Sequence, residues 1–134
     1  MKLNHSLLLL VLLLLSGRSW AQGEWIDIHD PAEVRAIYTN TTIRGMGFVG
    51  YYRADGRGVM TAADRKPQGR RWFVKDDGQG CAAIDAGPTL CYRFQRHRDS
   101  PSLIRIRDIA NGANFTATVE QGVPDLEPFE KAMR

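Results

Sequence analysis

The two cysteines of the chain, Cys81 and Cys91, lie in the stretch CAAIDAGPTLC and are the first candidates for chemistry. A catalytic dithiol usually has the spacing C-x-x-C, which this stretch lacks. A zinc site needs two further ligands, and beyond the first 21 residues histidine occurs only as His29 and His97. The pattern therefore favours a disulfide over a redox centre or half of a metal site.

The turn between the cysteines supports a disulfide on geometric grounds. If Asp85 to Gly87 form the loop of a hairpin, Cys81 stands directly opposite Cys91. Opposed residues of a non-hydrogen-bonded antiparallel pair lie about 4.5 Å apart at Cα, which is within disulfide reach. Because Cys91 alternates with Arg93 on one face, we expect the bridge on the outer face of a sheet, as a surface clasp.

Other motifs offer little catalytic chemistry. The residues of HRDS, His97 to Ser100, are contiguous, whereas a triad needs partners that the fold brings together. DDGQG, beginning at Asp76, lacks the spaced oxygen ligands of a calcium loop, and no phosphate-binding loop is present. The sequence predicts no catalytic residue, no metal and no cofactor, and an enzyme is the least favoured function.

Aromatic residues and arginines suggest a binding surface instead. The adjacent pairs Tyr51-Tyr52 and Trp72-Phe73 must point to opposite faces of their strands, so one member of each pair is exposed unless both faces are covered. Arginines and aromatic residues are enriched at protein interfaces, and guanidinium groups bind carboxylates and phosphates through paired hydrogen bonds. The predicted surface comprises Tyr52, Arg71, Phe73, Arg93, Arg105 and Arg107.

Alternating strands must position these side chains. Turn signals recur every 8 to 15 residues, and apolar residues alternate with polar ones in LCYRF, IRIR and FTATV. The pattern predicts a mainly β fold. We expect a small antiparallel meander of 7–8 strands, within residues 41–121, that closes into a barrel or a two-layer sandwich.

One short helix should precede the strands. Asp30 is typical of an N-cap, Pro31 of the first helical position and Glu33 of a capping box. Val34, Ile37 and Tyr38 then form one apolar stripe. These signals predict a helix over residues 31–38 that packs on an open end or edge of the sheet.

The N-terminus predicts export. A positive residue, the apolar run Leu7 to Leu15, and small residues at Ser19 and Ala21 are typical of a signal peptide over residues 1–21. The run is too short for a spanning helix, so a membrane anchor is the weaker alternative. We expect a single β domain over residues 22–123, a tail over 124–134, and a periplasmic or extracellular bacterial location.

Charge is unevenly distributed in the exported chain. Cleavage after Ala21 would lower the net charge from +3 to about +1, with the excess of basic residues between Arg35 and Arg107 and acidic residues at both ends. A basic middle indicates an anionic partner or, more simply, a solvated arginine-rich face. The sequence predicts neither nucleic-acid binding nor a membrane span.

The order of motifs also resembles a known family. DPAEVRAIY is followed by GYYRADGR, by GRRWFV with DDGQGC, by CYRFQRHRD and LIRIRDIANG, and by ATVEQGVP. This order resembles the small secreted bacterial proteins of domain of unknown function 995 and their looser relatives, over about Asp30 to Pro124. The small residues Ala82 and Ala83 depart from the pattern, which has a larger residue after the first cysteine. The resemblance implies export and a small β fold, and it implies no catalytic residues.

Three functions follow as expectations. The first is a secreted, non-catalytic binding module that recognises a protein or an anionic envelope component through its arginine and aromatic face. An inhibitor of a secreted hydrolase is one concrete form of it. The alternative is a small barrel that carries an apolar ligand, and the second alternative is an enzyme.

Overall fold

Residues 24–134 are described by the computed structural model, and the predicted signal peptide lies outside them. Nine strands and two helices follow the order β1, α1, β2 to β9 and α2. The strands are β1 Trp25–Ile28, β2 Thr41–Gly45, β3 Phe48–Tyr52, β4 Arg57–Ala62, β5 Arg65–Val74, β6 Gly80–Ile84, β7 Thr89–His97, β8 Leu103–Asp108 and β9 Asn114–Gln121. The helices are α1 Pro31–Tyr38 and α2 Glu127–Ala132. No helix in this part of the chain is long and apolar enough to cross a membrane.

Strands β2 to β9 form a closed antiparallel barrel. Each strand pairs with the next along the chain, and β9 pairs back with β2, where Ile43 faces Val119. This confirms the mainly β fold, and of the two predicted architectures the chain adopts the barrel. The eight strands of the barrel fall within the predicted residues 41–121.

Strand β1 is an addition that the sequence pattern did not predict. Strand β7 is long enough to pair with two other strands along one of its edges. Its first half pairs with β6 and its second half with β1, where Ile28 faces Phe94. With only four residues, β1 is too short to show clear alternation, and it lies close to the predicted cleavage point.

Helix α1 begins and ends as predicted and covers one end of the barrel. The Asp30 side chain accepts a hydrogen bond from the Ala32 N–H at 3.0 Å. Val34, Ile37 and Tyr38 are buried. The ring of Tyr38 stacks on Trp72, with centroids 5.2 Å apart and planes 12° apart.

Side chains fill the interior of the barrel. The core contains residues such as Tyr52, Phe94, Ile104 and Ile106, and Tyr38 of α1 packs on the rings of Tyr52 and Phe94. A cavity of about 30 Å³ remains among Tyr52, Phe94 and Ile106. A typical small-molecule site has about 300–1,000 Å³, so this cavity has no room for a ligand of that size.

The C-terminal tail covers one outer face of the barrel. It forms α2, in which Phe129 packs on Tyr51 of β3 with centroids 5.2 Å apart, and Leu126 just before it is 3% exposed. Glu130 forms an ion pair with Arg57 of β4 at 2.9 Å. The tail beyond residue 123 is therefore part of the packed structure.

The two cysteines form the predicted disulfide. Cys81 faces Cys91 in the ladder between β6 and β7, and their Cα atoms are 4.1 Å apart. The predicted surface clasp is wrong in one respect, because Cys81 is fully buried although its side chain belongs to the outer face. Phe73 on β5 stands directly opposite it and flanks the sulfur on the side away from Cys91.

Candidate functional site: an arginine groove on the outer face

The outward side chains of β7 and β8 form one continuous surface. In β7, Arg93 and Gln95 alternate with the buried rings of Tyr92 and Phe94. The ladder with β8 places Arg93 opposite Arg107, and Gln95 opposite Arg105. Because opposed residues of an antiparallel pair share a face, three arginines lie together on the outside of the barrel.

Strand β1 turns this surface into a groove. Its ladder with β7 places Asp27 opposite Gln95, and the Gln95 side-chain amide donates to the Asp27 carboxylate at 2.7 Å. The groove has a volume of about 670 Å³. Its walls include Asp27, Gln79, Arg93, Arg105, Arg107 and Ile109.

Arg93 is fixed at one end of the groove by the turn between β5 and β6. Its guanidinium donates to the Asp77 carboxylate at 3.0 Å and to the Asp77 carbonyl at 2.5 Å. The backbone N–H of Gln79 is the main cause that lowers the pKa of Asp77, and the charge of Arg93 lowers it further. The carboxylate therefore stays ionised at neutral pH and orients Arg93.

Arg105 is held by an aromatic ring. Its guanidinium carbon lies 4.2 Å from the ring centroid of Trp25, which is a cation–π contact. It also donates to the Gln95 side-chain oxygen at 3.4 Å. The rings of Trp25 and His97 pack nearly perpendicular to each other, with centroids 5.2 Å apart. The Arg105 guanidinium is thus held in place by uncharged partners, so its positive charge is not neutralised by a carboxylate.

Arg107 completes the set and is the most available of the three. It is exposed, and within residues 24–134 its side chain makes neither an ion pair nor a hydrogen bond to another residue. The Asp27 carboxylate also lines the groove, so three guanidinium groups face one acidic wall residue. The groove is positively charged and can donate paired hydrogen bonds to a carboxylate or phosphate.

An apolar row borders the groove. Phe73 and Ile109 are 43% and 44% exposed, which is unusual for large hydrophobic side chains in this part of the chain. Phe73 lies opposite Cys81, and the Ile109 N–H donates to the Cys91 carbonyl at 3.1 Å. The disulfide therefore lies between the two exposed side chains, and the surface combines positive charge with an apolar strip.

The structure brings together most of the predicted binding surface. Arg93, Arg105 and Arg107 line the groove, and Phe73 lies in the bordering row. Arg71 is also exposed, further along β5 and opposite Arg57. Of the two aromatic candidates, Tyr52 and Phe73, only Phe73 is exposed.

The prediction of Tyr52 as a surface residue is wrong. Tyr52 is 5% exposed and points into the barrel. A Cβ atom at Gly58 would lie 2.7 Å from its ring, and one at Gly50 would lie 2.6 Å from it. The Tyr52 ring therefore occupies the space left by Gly50 on its own strand, β3, and by Gly58 on the neighbouring strand, β4. Tyr51 is the residue that points outward.

Sequence reasoning missed the contributions of Trp25 and Asp27, which both come from β1. A sequence signal exists in WIDI, where apolar and polar residues alternate, but four residues are a weak pattern. The pairing of β1 with the end of β7 depends on the length of β7 relative to β6, which local periodicity does not reveal.

The groove offers binding chemistry. Within residues 24–134 no three histidine, cysteine, aspartate or glutamate side chains are grouped so as to hold a metal ion. His97 of HRDS lies 2.9 Å from Glu24 and packs against Trp25. His29 also lines the groove, and its Nε2 lies 4.0 Å from the Asp27 carboxylate. The polar side chains of the lining therefore include charged groups of both signs, with an excess of positive charge.

Comparison of the chain with protein-family models, with curated proteins and with solved structures gave no match. The resemblance to domain of unknown function 995 stays a prediction.

Proposed function

We propose that the protein is an exported, non-catalytic binding module whose groove recognises an acidic segment of a protein partner. The observation that supports the proposal most is the convergence of Arg93, Arg105 and Arg107 on one groove of about 670 Å³. These arginines come from two strands; Asp77 preorients Arg93, and Trp25 preorients Arg105. Preorientation lowers the entropy lost when a partner binds.

The apolar row favours a protein over an inorganic or saccharide anion. Phe73 and Ile109 would bury against an apolar side chain of the partner while the arginines bind its carboxylates. Interfaces combine an apolar centre with a polar rim in this way, and arginine and aromatic residues dominate their binding energy. An acidic loop of a secreted hydrolase, inhibited by occlusion, is one concrete partner.

Export is supported by the signal-like N-terminus and by the disulfide. Disulfides form and persist in oxidising compartments such as the bacterial periplasm. The Cys81–Cys91 bridge is compatible with such a compartment.

Charge reversal in the groove tests the proposal. The probe is a fluorescent peptide in which glutamates alternate with phenylalanines, and binding is followed by fluorescence anisotropy. The double variant Arg105→Glu with Arg107→Glu should weaken binding at least about tenfold, because two attractive charges become repulsive. The matched control is Arg65→Glu with Lys66→Glu, which makes the same change of charge at exposed positions at the start of β5.

The control decides between a specific groove and general charge. An equal loss in both double variants would show attraction to net charge only and would contradict the proposal. Unchanged binding in the groove variant would also contradict it. Binding of the wild type to phosphatidylglycerol vesicles but not to the peptide would replace the protein partner with an anionic envelope surface.

A further inference from the structure

A second arginine site lies inside the barrel and is separate from the groove. Arg70 of β5 is 6% exposed, and its side chain points inward between Gly58 of β4 and Ile84 of β6. Its guanidinium donates to the Gln68 side-chain oxygen at 2.9 Å and lies 3.3 Å from the Met60 sulfur. The guanidinium also hydrogen-bonds to the hydroxyl oxygens of Tyr52 and Tyr92. All of these partners are neutral.

No carboxylate of residues 24–134 lies within 4.0 Å of this guanidinium. Among the ion pairs of residues 24–134, none involves Arg70. Asp85 lies on the outer side of β5, against Gly69. Asp108, opposite Tyr92, accepts a hydrogen bond from the Ala110 N–H. Its charge reaches Tyr92, but it forms no ion pair with Arg70. A guanidinium does not deprotonate in proteins, and burial of a charge without a counter-charge is strongly unfavourable.

Three tyrosines surround the same space. Tyr38, Tyr52 and Tyr92 line, together with Arg70, the interior cavity of about 30 Å³. Burial is the main cause that raises the pKa of each tyrosine, and the Arg70 charge lowers each pKa by less. The hydroxyls therefore remain protonated at neutral pH and can donate hydrogen bonds.

The size of the cavity limits the ligand. A buried water needs about 10–15 Å³, so a cavity of this size has room for a pair of waters or one monatomic ion. One guanidinium charge is balanced by one negative charge. The tyrosine hydroxyls and the guanidinium are donors, and donors bind anions.

We propose that the barrel interior binds a monatomic monovalent anion of the halide class, chloride in particular, in the cavity beside the Arg70 guanidinium and the tyrosine hydroxyls that line it. The anion neutralises the buried charge and stabilises the folded barrel. This site is independent of the groove and of the proposed function.

Thermal unfolding at constant ionic strength tests the site. Chloride replaces gluconate stepwise, and the melting temperature should rise with saturation, by about 5 °C when chloride is tenfold above its dissociation constant. Arg70→Met should abolish the dependence on chloride. Arg65→Met is the matched control on the same strand, at an exposed position, and should keep it.

A variant in the groove separates the two arginine sites. If Arg107→Met removes the dependence on chloride and Arg70→Met keeps it, the anion binds on the surface and the proposal is wrong. A melting temperature of the wild type that is equal in both salts would also overturn it.

Crystals of the wild type grown in bromide provide a test that does not require Arg70→Met to fold. An anomalous peak inside the barrel, next to the Arg70 guanidinium, would support the proposal. Peaks only on the outer surface, or none, would overturn it.

Discussion

Two outer faces of the barrel are both built from antiparallel strands, but one is covered by the C-terminal tail and the other is exposed to solvent. On β3 the outward Tyr51 packs on Phe129 of the C-terminal tail, and Val59, opposite it on β4, is buried. Leu126 of the tail is buried as well. On β7 and β8 the outward residues are arginines, and the bordering Phe73 and Ile109 remain exposed. We call the face around Tyr51 and Val59 the covered face, and expect it to contribute to stability. We call the face of β7 and β8 the open face; it leaves charge and apolar surface available for a partner.

The largest expected effect tests whether the covered face carries stability. Leu126→Ala should lower the free energy of unfolding by about 2–4 kcal/mol, because it removes a buried side chain and leaves a cavity. Ile109→Ala on the open face should change it by no more than about 0.5 kcal/mol. Urea unfolding measures both, and similar losses in the two variants would remove the distinction between the faces.

The disulfide lies at the border of the open face, and its removal should have the second largest effect on the free energy of unfolding. Replacing Cys81 and Cys91 by alanine removes a short loop closure, which should cost roughly 2–3 kcal/mol. The variant should also loosen the row that holds Phe73 and Ile109 without changing the groove arginines. Unfolding in urea, with and without reductant, measures the cost, and a wild type that is insensitive to reductant would count against it.

Alkaline pH should distinguish the interior from both outer faces. The raised pKa values of Tyr38, Tyr52 and Tyr92 mean that the folded barrel holds their protons more tightly than the unfolded chain. Stability is therefore complete below the ordinary tyrosine pKa of about 10 and is lost as pH rises beyond it. Tyrosinate absorbance should rise together with unfolding, and Tyr38→Phe should shift the loss of stability to higher pH. Tyrosine ionisation in a barrel that stays folded would contradict this.

The smallest effect concerns the contact between α2 and the covered face. The Arg57–Glu130 ion pair is partly exposed at 2.9 Å, so Glu130→Gln should cost only about 0.2–1 kcal/mol. The loss should shrink in high salt because exposed charges are screened. A larger, salt-independent loss would mean that Glu130 holds the helix by packing.

Local patterns were sufficient to predict most of the fold. The capping residues of α1, the hairpin that aligns Cys81 with Cys91, and the alternation in β7 and β8 are all short-range signals, and each was confirmed. The alternation also placed Arg93, Arg105 and Arg107 on one face. Features that depend on distant partners were not predictable in this way, such as β1 beside the end of β7.

The error at Tyr52 shows that the residue types of two adjacent strand positions do not reveal which of them points into the barrel. Both tyrosines of Tyr51-Tyr52 are amphipathic, and alternation fixes only that they point apart. The decision came from Gly50 and Gly58, which provide room for one ring inside the barrel. The buried charge of Arg70 was equally hidden, because Arg65, Arg70 and Arg71 of one strand look like solvated surface until the strand register is known.

Strand β1 has a consequence for how the barrel avoids association with copies of itself. In the described chain β2 to β9 each have a neighbour on both sides, whereas β1 pairs with β7 alone. A free edge invites another chain to add a strand, and proteins limit this hazard with short edges that carry charge. The edge strand here has four residues and includes Asp27. A new strand would find few hydrogen bonds there, so we expect the element that builds one wall of the groove also to limit association of the protein with itself.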